Sequence, residues 1–283
     1  MAAVFVVALI VGVWSLAIGH WLFPIGLLLL VGDCLIAYGI WVAPKLLSTT
    51  KYRIALTENP TAWVKVVFMA DLHACKRKPA AWFSGVAKAV KELRPDLVLL
   101  GGDYVVWDSR DASHLNPLAE LEPRYGTYFV LGNHDYLGDP AAVSERLRSW
   151  GWHDITNSNL TLRMQGKDFG LSGVDEPLFG APIYSEARAY RVPHVTLAHN
   201  PDSVLDMHEG QTDLLLAGHA HGGQLRFPLV GSLFTPNRLG RKADQGEKRI
   251  NGLRMVVTRG LGEVGIRARF MCRPEIVVID LGI

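Results

Sequence analysis

The chain has 283 residues, is 49% hydrophobic, carries a formal net charge of +2, and has a mean hydropathy of +0.17. That is apolar for an ordinary soluble protein and too polar for a multi-span transporter. Its three cysteines, Cys34, Cys75 and Cys272, form neither a disulfide framework nor a thiolate metal spacing.

The apolar excess is local. From Met1 to Pro44 the only residues charged near neutral pH are His20 and Asp33. As one helix this stretch would run about 65 Å, roughly twice a ~30 Å hydrocarbon core, so two short spans fit better than one. Residues 2–19 and 25–43 are expected as transmembrane helices, with His20, Trp21 and Pro24 at the turn and Trp41 at the interface. Asp33 would lie at the depth of Trp14 and Ser15, whose N–H and O–H can satisfy it. Neither a basic n-region nor a small-residue cleavage site is visible, so the segment is expected to stay as an anchor. Lys45, Lys51 and Arg53 follow the second span, which places that flank, and with an even span count the N-terminus, in the cytoplasm.

Residues 45–283 are long enough for one α/β domain with a full core. Apolar, β-rich runs predict strands at 63–70, 97–100, 127–131, 169–174, 194–198, 213–217, 255–258 and 275–281. Between the first two, Trp82, Val86, Val90 and Leu93 share a helical face, which makes a βαβ unit. A second helix is signalled by Asp139 as N-cap, Pro140 at the first position, apolar Val143, Leu147 and Trp150, and Gly151 as the stop. Five of these strands are followed at once by a polar cluster: Asp71-Leu72-His73, Gly102-Asp103, Gly132-Asn133-His134-Asp135, His199-Asn200 and Gly218-His219-Ala220-His221. In open α/β sheets the crevice beyond the carboxyl ends of the strands is where ligands bind.

Carboxylate and amide oxygens with imidazole nitrogens, and no thiolate, suit manganese, iron or zinc. The candidates are too many for one ion, because a catalytic zinc typically uses three protein ligands. Two ions are implied, with Asp103 as the bridge between sites about 3.5–4 Å apart. Alternation along an extended strand end would put Asp71 and His73, or His219 and His221, on the same side. Gly218, Gly222 and Gly223 let the backbone turn sharply and approach a ligand closely. Outside these clusters, His20, His114, His153, His194 and His208 are assigned structural or solvated positions.

In order and without a gap, these clusters meet the pattern D-x-H, G-D, G-N-H-[DE], H and G-H-x-H. The chain therefore resembles the calcineurin-like metallophosphoesterases through most of residues 63–225. Further on, LFTPNRLGRK, TRGLGEVGIRARF and RPEI resemble the C-terminal signature of a bacterial membrane-associated phosphodiesterase branch of that family. The resemblance implies a four-layer α/β/β/α sandwich over residues 45–283, preceded by the transmembrane helical hairpin of residues 1–44. It implies Asp71, His73, Asp103 and His221 on a first metal, and Asn133, His199 and His219, with Asp103 shared, on a second. Manganese is the expected ion, with zinc or iron as alternatives. Water activated by the metal pair would attack phosphorus in line, His134 would protonate the leaving oxygen, and Asp135 would fix the His134 ring.

Between 226 and 273 there are 11 Lys or Arg against 3 Asp or Glu, a local balance of +8 that favours an anionic substrate or a lipid headgroup surface. Stacking aromatics interleaved with that run are scarce, which disfavours nucleic acid. The substrate expected from anchor, charge and resemblance is phosphate-containing and lipid-linked, with UDP-2,3-diacylglucosamine, cleaved to lipid X and UMP in lipid A biosynthesis, as the specific candidate. The expected location is the bacterial inner membrane, with the catalytic domain on the cytoplasmic side. A broad-specificity phosphodiesterase or phosphatase of the envelope is the alternative, ahead of a nuclease or a non-catalytic membrane scaffold.

Overall fold

The computed structural model describes residues 23–184 and 192–283. Helix α1 (Phe23–Ala37) passes through a π-helical turn (Tyr38–Val42) into a 3₁₀ turn (Ala43–Lys45). Together Pro24–Lys45 form 22 residues of helix long and apolar enough to cross a bilayer. Ile25, Leu28, Val31, Leu35 and Ile36 are exposed along it. This helix corresponds to the second expected span. The first, residues 2–19, lies outside the described residues, as does any pairing of Asp33 with Trp14 or Ser15. One apolar helix is therefore observed, and a hairpin of two is not.

Two six-stranded sheets follow. The first runs β1 (Ser48–Ala55), β14 (Glu275–Gly282), β2 (Trp63–Met69), β3 (Leu97–Gly101), β4 (Thr127–Val130), β5 (His153–Asp154). The second runs β12 (Gly246–Ile250), β13 (Leu253–Val257), β9 (Leu214–Ala217), β8 (His194–Ala198), β7 (Lys167–Val174), β6 (Ser158–Met164). Strands β2 to β5 are mutually parallel, as are β7, β8, β9 and β13. A two-stranded hairpin, β10 (Arg226–Phe227) and β11 (Gly231–Ser232), stands outside both sheets.

The eight apolar runs of the sequence are the eight interior strands. The four edges, β1, β5, β6 and β12, give no apolar run because each has a neighbour on one side only and sheds its buried residues. Only Ile54 is buried in β1, only Met164 in β6, and none in β12.

Val66, Phe68, Leu99 and Val130 of the first sheet meet Leu171, Leu197, Leu216 and Val256 of the second in one inter-sheet core. The outer face of the first sheet is covered by α2 (Ala80–Leu93), a 3₁₀ segment (Ser109–Glu120) and α4 (Pro140–Arg148), which follows the short α3 (Asn133–Leu137). The buried stripe of α2 is centred on Phe83, Val86 and Val90, with Trp82 and Leu93 at its margins. The Asp139 carboxylate accepts from the Ala142 N–H at 3.0 Å as the expected N-cap, and Gly151 at φ 79° ends the turn after α4 as the expected stop.

The outer face of the second sheet, including Leu215 and Met255, is covered by the 3₁₀ segment Pro201–Leu205 and by loop residues Leu239 and Ala243. Among the described residues no α-helix packs there. The fourth layer is thinner than the four-layer α/β/β/α expectation.

Candidate metal centre

All seven expected ligands converge where the two sheets meet. Asp71, His73, Asp103 and Asn133 follow β2, β3 and β4 of the first sheet, and His199, His219 and His221 follow β8 and β9 of the second. Six of the seven are less than 7% exposed and Asn133 is 8% exposed. The local backbone differs from the expected extended one. Asp71 has φ 52°, His73 46°, Asp103 58°, His219 65° and His221 51°, so the chain turns through the left-handed region at five ligands. Each such residue costs of order 1–3 kcal/mol and persists only where its surroundings hold it. Asp71 is held because its carboxylate accepts the His219 N–H at 2.9 Å and its carbonyl accepts from Leu261 at 3.2 Å and Gly262 at 2.6 Å. Left-handed turns, and not strand alternation, bring the D-x-H and H-x-H pairs inward. Gly222 at φ 60° continues the second turn, whereas Gly218 is needed for space: a Cβ there would lie 2.6 Å from the Ala70 Cβ and 2.9 Å from Asp71 Oδ2.

Two clusters result. In one, His73 Nε2 lies 3.0 Å from His221 Nε2, which is 3.5 Å from Asp71 Oδ1. In the other, Asn133 Oδ1 lies 3.0 Å from His199 Nε2 and 2.9 Å from His219 Nδ1, and those two nitrogens are 3.2 Å apart. Asp103 Oδ2 stands between the clusters, 3.5 Å from His73 Nε2 and 3.3 Å from His199 Nε2. Asp71, His73 and His221, and likewise Asp71, Asp103 and His199, each offer ligand atoms within 4.8 Å of one another.

The donor set fits cations. His199 Nδ1 faces the Gly101 carbonyl at 2.7 Å, and a carbonyl can only accept, so Nδ1 carries the hydrogen and Nε2 a lone pair. With His219 in the tautomer that leaves Nδ1 unprotonated, that lone pair, the Asn133 oxygen and His219 Nδ1 are three mutually close donor atoms for a cation.

The titration behaviour agrees. Burial opposes charge on His199, but Asp103 beside it outweighs burial, and its proton is held up to about 10. A proton there stands in for a cation. Burial raises Asp71 and Asp135 to about 7 each, with the charge on Asp103 adding to the rise. Asp103 itself is held below the carboxylate range: burial would raise it, but His199 and then His73 prevail. Burial keeps His73 and His219 neutral, each lowered to about 3, and pushes His221 well below its ordinary value.

His134 and Asp135 sit beside the clusters, but not as a hydrogen-bonded pair. His134 Nδ1 faces the Val106 carbonyl at 2.6 Å, and its ring packs edge-on against Trp107, with centroids 5.1 Å apart. The expectation that Asp135 fixes this ring is corrected. The Asp135 carboxylate accepts instead from the backbone N–H groups of Gly132, Asp103 and Tyr104 at 2.9 Å each, and of Val105 at 3.3 Å. It ties the β3 and β4 loops together and acts through Asp103. The His134 N–H donates to Asp103 Oδ1 at 2.8 Å, which leaves Oδ2 free for the clusters.

One supporting group escaped sequence reasoning. Arg269 is wholly buried and donates to the carbonyls of Arg259, Gly260, Gly262 and Cys272 and to the Glu263 carboxylate. It freezes the 259–263 loop against the Asp71 backbone. Its only trace in the sequence is the TRGLGEVGIRARF stretch, where the third of three arginines cannot be told from a surface charge.

Two facing sheets with Asp, Asn and His converging from both on a shared carboxylate define a metal-dependent phosphoester hydrolase. The sequence profile described as calcineurin-like phosphoesterase matches residues 64–223, and the chain belongs to that family. Among its relatives, phosphodiesterase YaeI of Escherichia coli is 35% identical over 82% of this chain and 87% of its own length. The uncharacterized metallophosphoesterase YkuE of Bacillus subtilis is 28% identical over 86% of this chain and 88% of its own. A transmembrane protein with metallophosphoesterase domain from Danio rerio is 30% identical over 90% of this chain and 62% of its own.

Proposed function

We propose that the chain is a membrane-anchored, two-metal phosphodiester hydrolase. The observation that carries this is the placement of Asp103 Oδ2 between two ligand clusters contributed by two different sheets. Asp71, His73, Asp103 and His221 would hold one ion, and Asn133, His199, His219 and Asp103 the other, with manganese the expected metal. When bound, such a pair supplies Lewis-acid activation of water and neutralisation of the phosphoryl oxygens. Asp103 keeps the two positions at a fixed separation, and Asp135 keeps Asp103 in place. The hydrogen bond from His134 Nδ1 to Val106 leaves Nε2 as the atom that can hold a proton and deliver it to the leaving oxygen. The Trp107 ring against His134 limits access of water to that proton.

The substrate we favour is a phosphodiester or pyrophosphate with an apolar part that remains in the bilayer. Pro24–Lys45 supports it, as do the basic residues that follow the H-x-H loop. UDP-2,3-diacylglucosamine is the specific candidate, at the inner membrane with residues 45–283 as a catalytic domain on the cytoplasmic side. Purified full-length protein with Mn2+ should hydrolyse bis-p-nitrophenyl phosphate and, faster, the diacylated sugar nucleotide, and should leave single-stranded DNA intact. Hydrolysis of the model diester alone favours the broad-specificity phosphodiesterase, the activity named for the E. coli relative. Two bound ions with no hydrolysis of any diester would overturn the enzyme reading. C-terminal alkaline phosphatase and fluorescent-protein fusions test the orientation, and strong phosphatase signal would reverse it.

A further inference from the structure

Beside the metal centre the chain makes a small hairpin that serves neither core nor site. It leaves the H-x-H loop at Gln224, runs through β10 to a tip at 228–230, and returns through β11. Its apolar side chains point into solvent: Leu229 is fully exposed, Phe234 74% and Leu233 61%. Leu229 also holds φ 65°, a conformation that glycine or asparagine would adopt at far less cost. A branched apolar residue, strained and unburied, gains nothing from folding. The neighbouring segment repeats the pattern at Met271, φ 50° and 60% exposed.

This hairpin is joined to the apolar helix through one intervening segment. The Arg226 N–H donates to the Phe270 carbonyl at 3.0 Å, and the rings of Phe227 and Phe270 lie 5.4 Å apart. One residue before, the Arg269 N–H donates to the Gly39 carbonyl at 2.9 Å, and Ile266 on that same segment is exposed. Gly39 lies within the last turns of Pro24–Lys45, where Trp41 is exposed and Lys45 marks the polar end. If that helix crosses a bilayer, this end lies at the headgroups and the hairpin lies beside it. The cations are placed accordingly: Arg267 is exposed on the intervening segment, and Arg241, also exposed, donates to the Val230 carbonyl at the hairpin tip. An apolar tip ringed by unburied cations matches an anionic lipid interface, where apolar side chains enter about 5–10 Å while Lys and Arg remain among the headgroups.

We infer that the 227–234 hairpin is a second membrane contact, dipping into the interface of the bilayer that Pro24–Lys45 crosses. The inference rests on the membrane-anchored reading above and deepens it. Gln224 and Gly223 join the hairpin directly to His221, so docking fixes the metal cleft at the lipid surface and presents it to diesters that stay in the membrane.

The test uses the full chain with Cys34→Ser and Cys75→Ser, reconstituted in vesicles of phosphatidylethanolamine and anionic phosphatidylglycerol. Spin labels are placed at Leu229→Cys and, as a reference, at Lys167→Cys, which opens β7 at the end away from the sheet edge that carries His199 and His219. The label at 229 should collide several-fold more with oxygen than with a water-soluble nickel chelate, and the label at 167 should do the reverse. If the protein floats with the vesicles and 229 behaves like 167, the hairpin inference is overturned while the anchor stands. If the protein fails to float after a high-salt wash, the anchor reading is the one that fails, and this inference goes with it. Shielding of 229 from both reagents means a protein occupant, which also overturns it. In addition, Leu229→Asp combined with Phe234→Asp should leave turnover of bis-p-nitrophenyl phosphate unchanged and lower turnover of an acylated diester in vesicles several-fold. Equal rates on the acylated diester would count against the contact.

Discussion

Asp103 does two things with one carboxylate: Oδ1 anchors the backbone of His134, and Oδ2 faces both ligand clusters. The proposed proton donor, His134, and the proposed metal bridge are thereby coupled through the Asp103 side chain, while the His134 ring is oriented by the Val106 carbonyl. His134→Ala should therefore keep two ions per chain by elemental analysis and lose about 10²–10⁴ in kcat. A near-normal rate on a diester with a poor leaving group would remove His134 from the chemistry. The raised values of His199, about 10, and Asp71, about 7, make a second prediction. Below those values the metal-free fold holds protons that a cation has to displace, so metal affinity should climb as pH rises, steeply below about 7 where both groups are protonated. Calorimetric titration at pH 8 in buffers of different ionisation enthalpy should register proton release on Mn2+ binding, and its absence would contradict the proton held by His199.

The strand-to-loop junctions set the precision of the centre. Each candidate ligand lies within a few residues of the end of a parallel strand, so its Cα is fixed by the inter-sheet core, and at Asp71, His73, Asp103, His219 and His221 a left-handed turn sets its direction. At the β9 junction Gly218 passes close against Ala70 and Asp71. Gly218→Ala should shift the Asp71 carboxylate and weaken metal binding about 10- to 100-fold, the range seen when groups supporting a ligand are lost. The added methyl also meets Ala70 of the inter-sheet core, so urea unfolding of the metal-free variant should have a lower midpoint than the parent, separately from the loss of metal affinity. Unchanged metal affinity would mean the loop yields more easily than its contacts with Ala70 and Asp71 imply.

The centre also spans the whole molecule, since three of its seven ligands come from the second sheet and four from the first. Ions bound there clamp the open edge of the sandwich, while Phe68, Leu99, Leu197 and Leu216 hold its middle. Metal should accordingly stabilise the entire domain: at free Mn2+ about 100-fold above Kd, one site contributes about 2.7 kcal/mol. Chelation should lower the Tm of the catalytic transition as a single cooperative event, and a scan that shows no dependence on chelator would mean that the native state binds no metal. The proposed membrane contacts at Pro24–Lys45 and the 227–234 hairpin have a similar reach, since together they would set which face of the molecule meets lipid.

The sequence by itself determined the interior. Strands with neighbours on both sides must be apolar along their whole length, so β2, β3, β4, β7, β8, β9, β13 and β14 are legible as runs, and the polar clusters that end five of them supply every side chain proposed as a ligand. It left the edge strands unreadable, because a strand such as β1, with one neighbour and one buried side chain, carries no more pattern than a loop. Only the tertiary structure decided that ligand pairs turn inward through left-handed backbone, that Asp135 serves four backbone N–H groups and not an imidazole, and that Arg269 braces Asp71 from nearly two hundred residues away. Those are facts about which atoms fill the space around a group once both sheets are packed, and residue order does not contain that space.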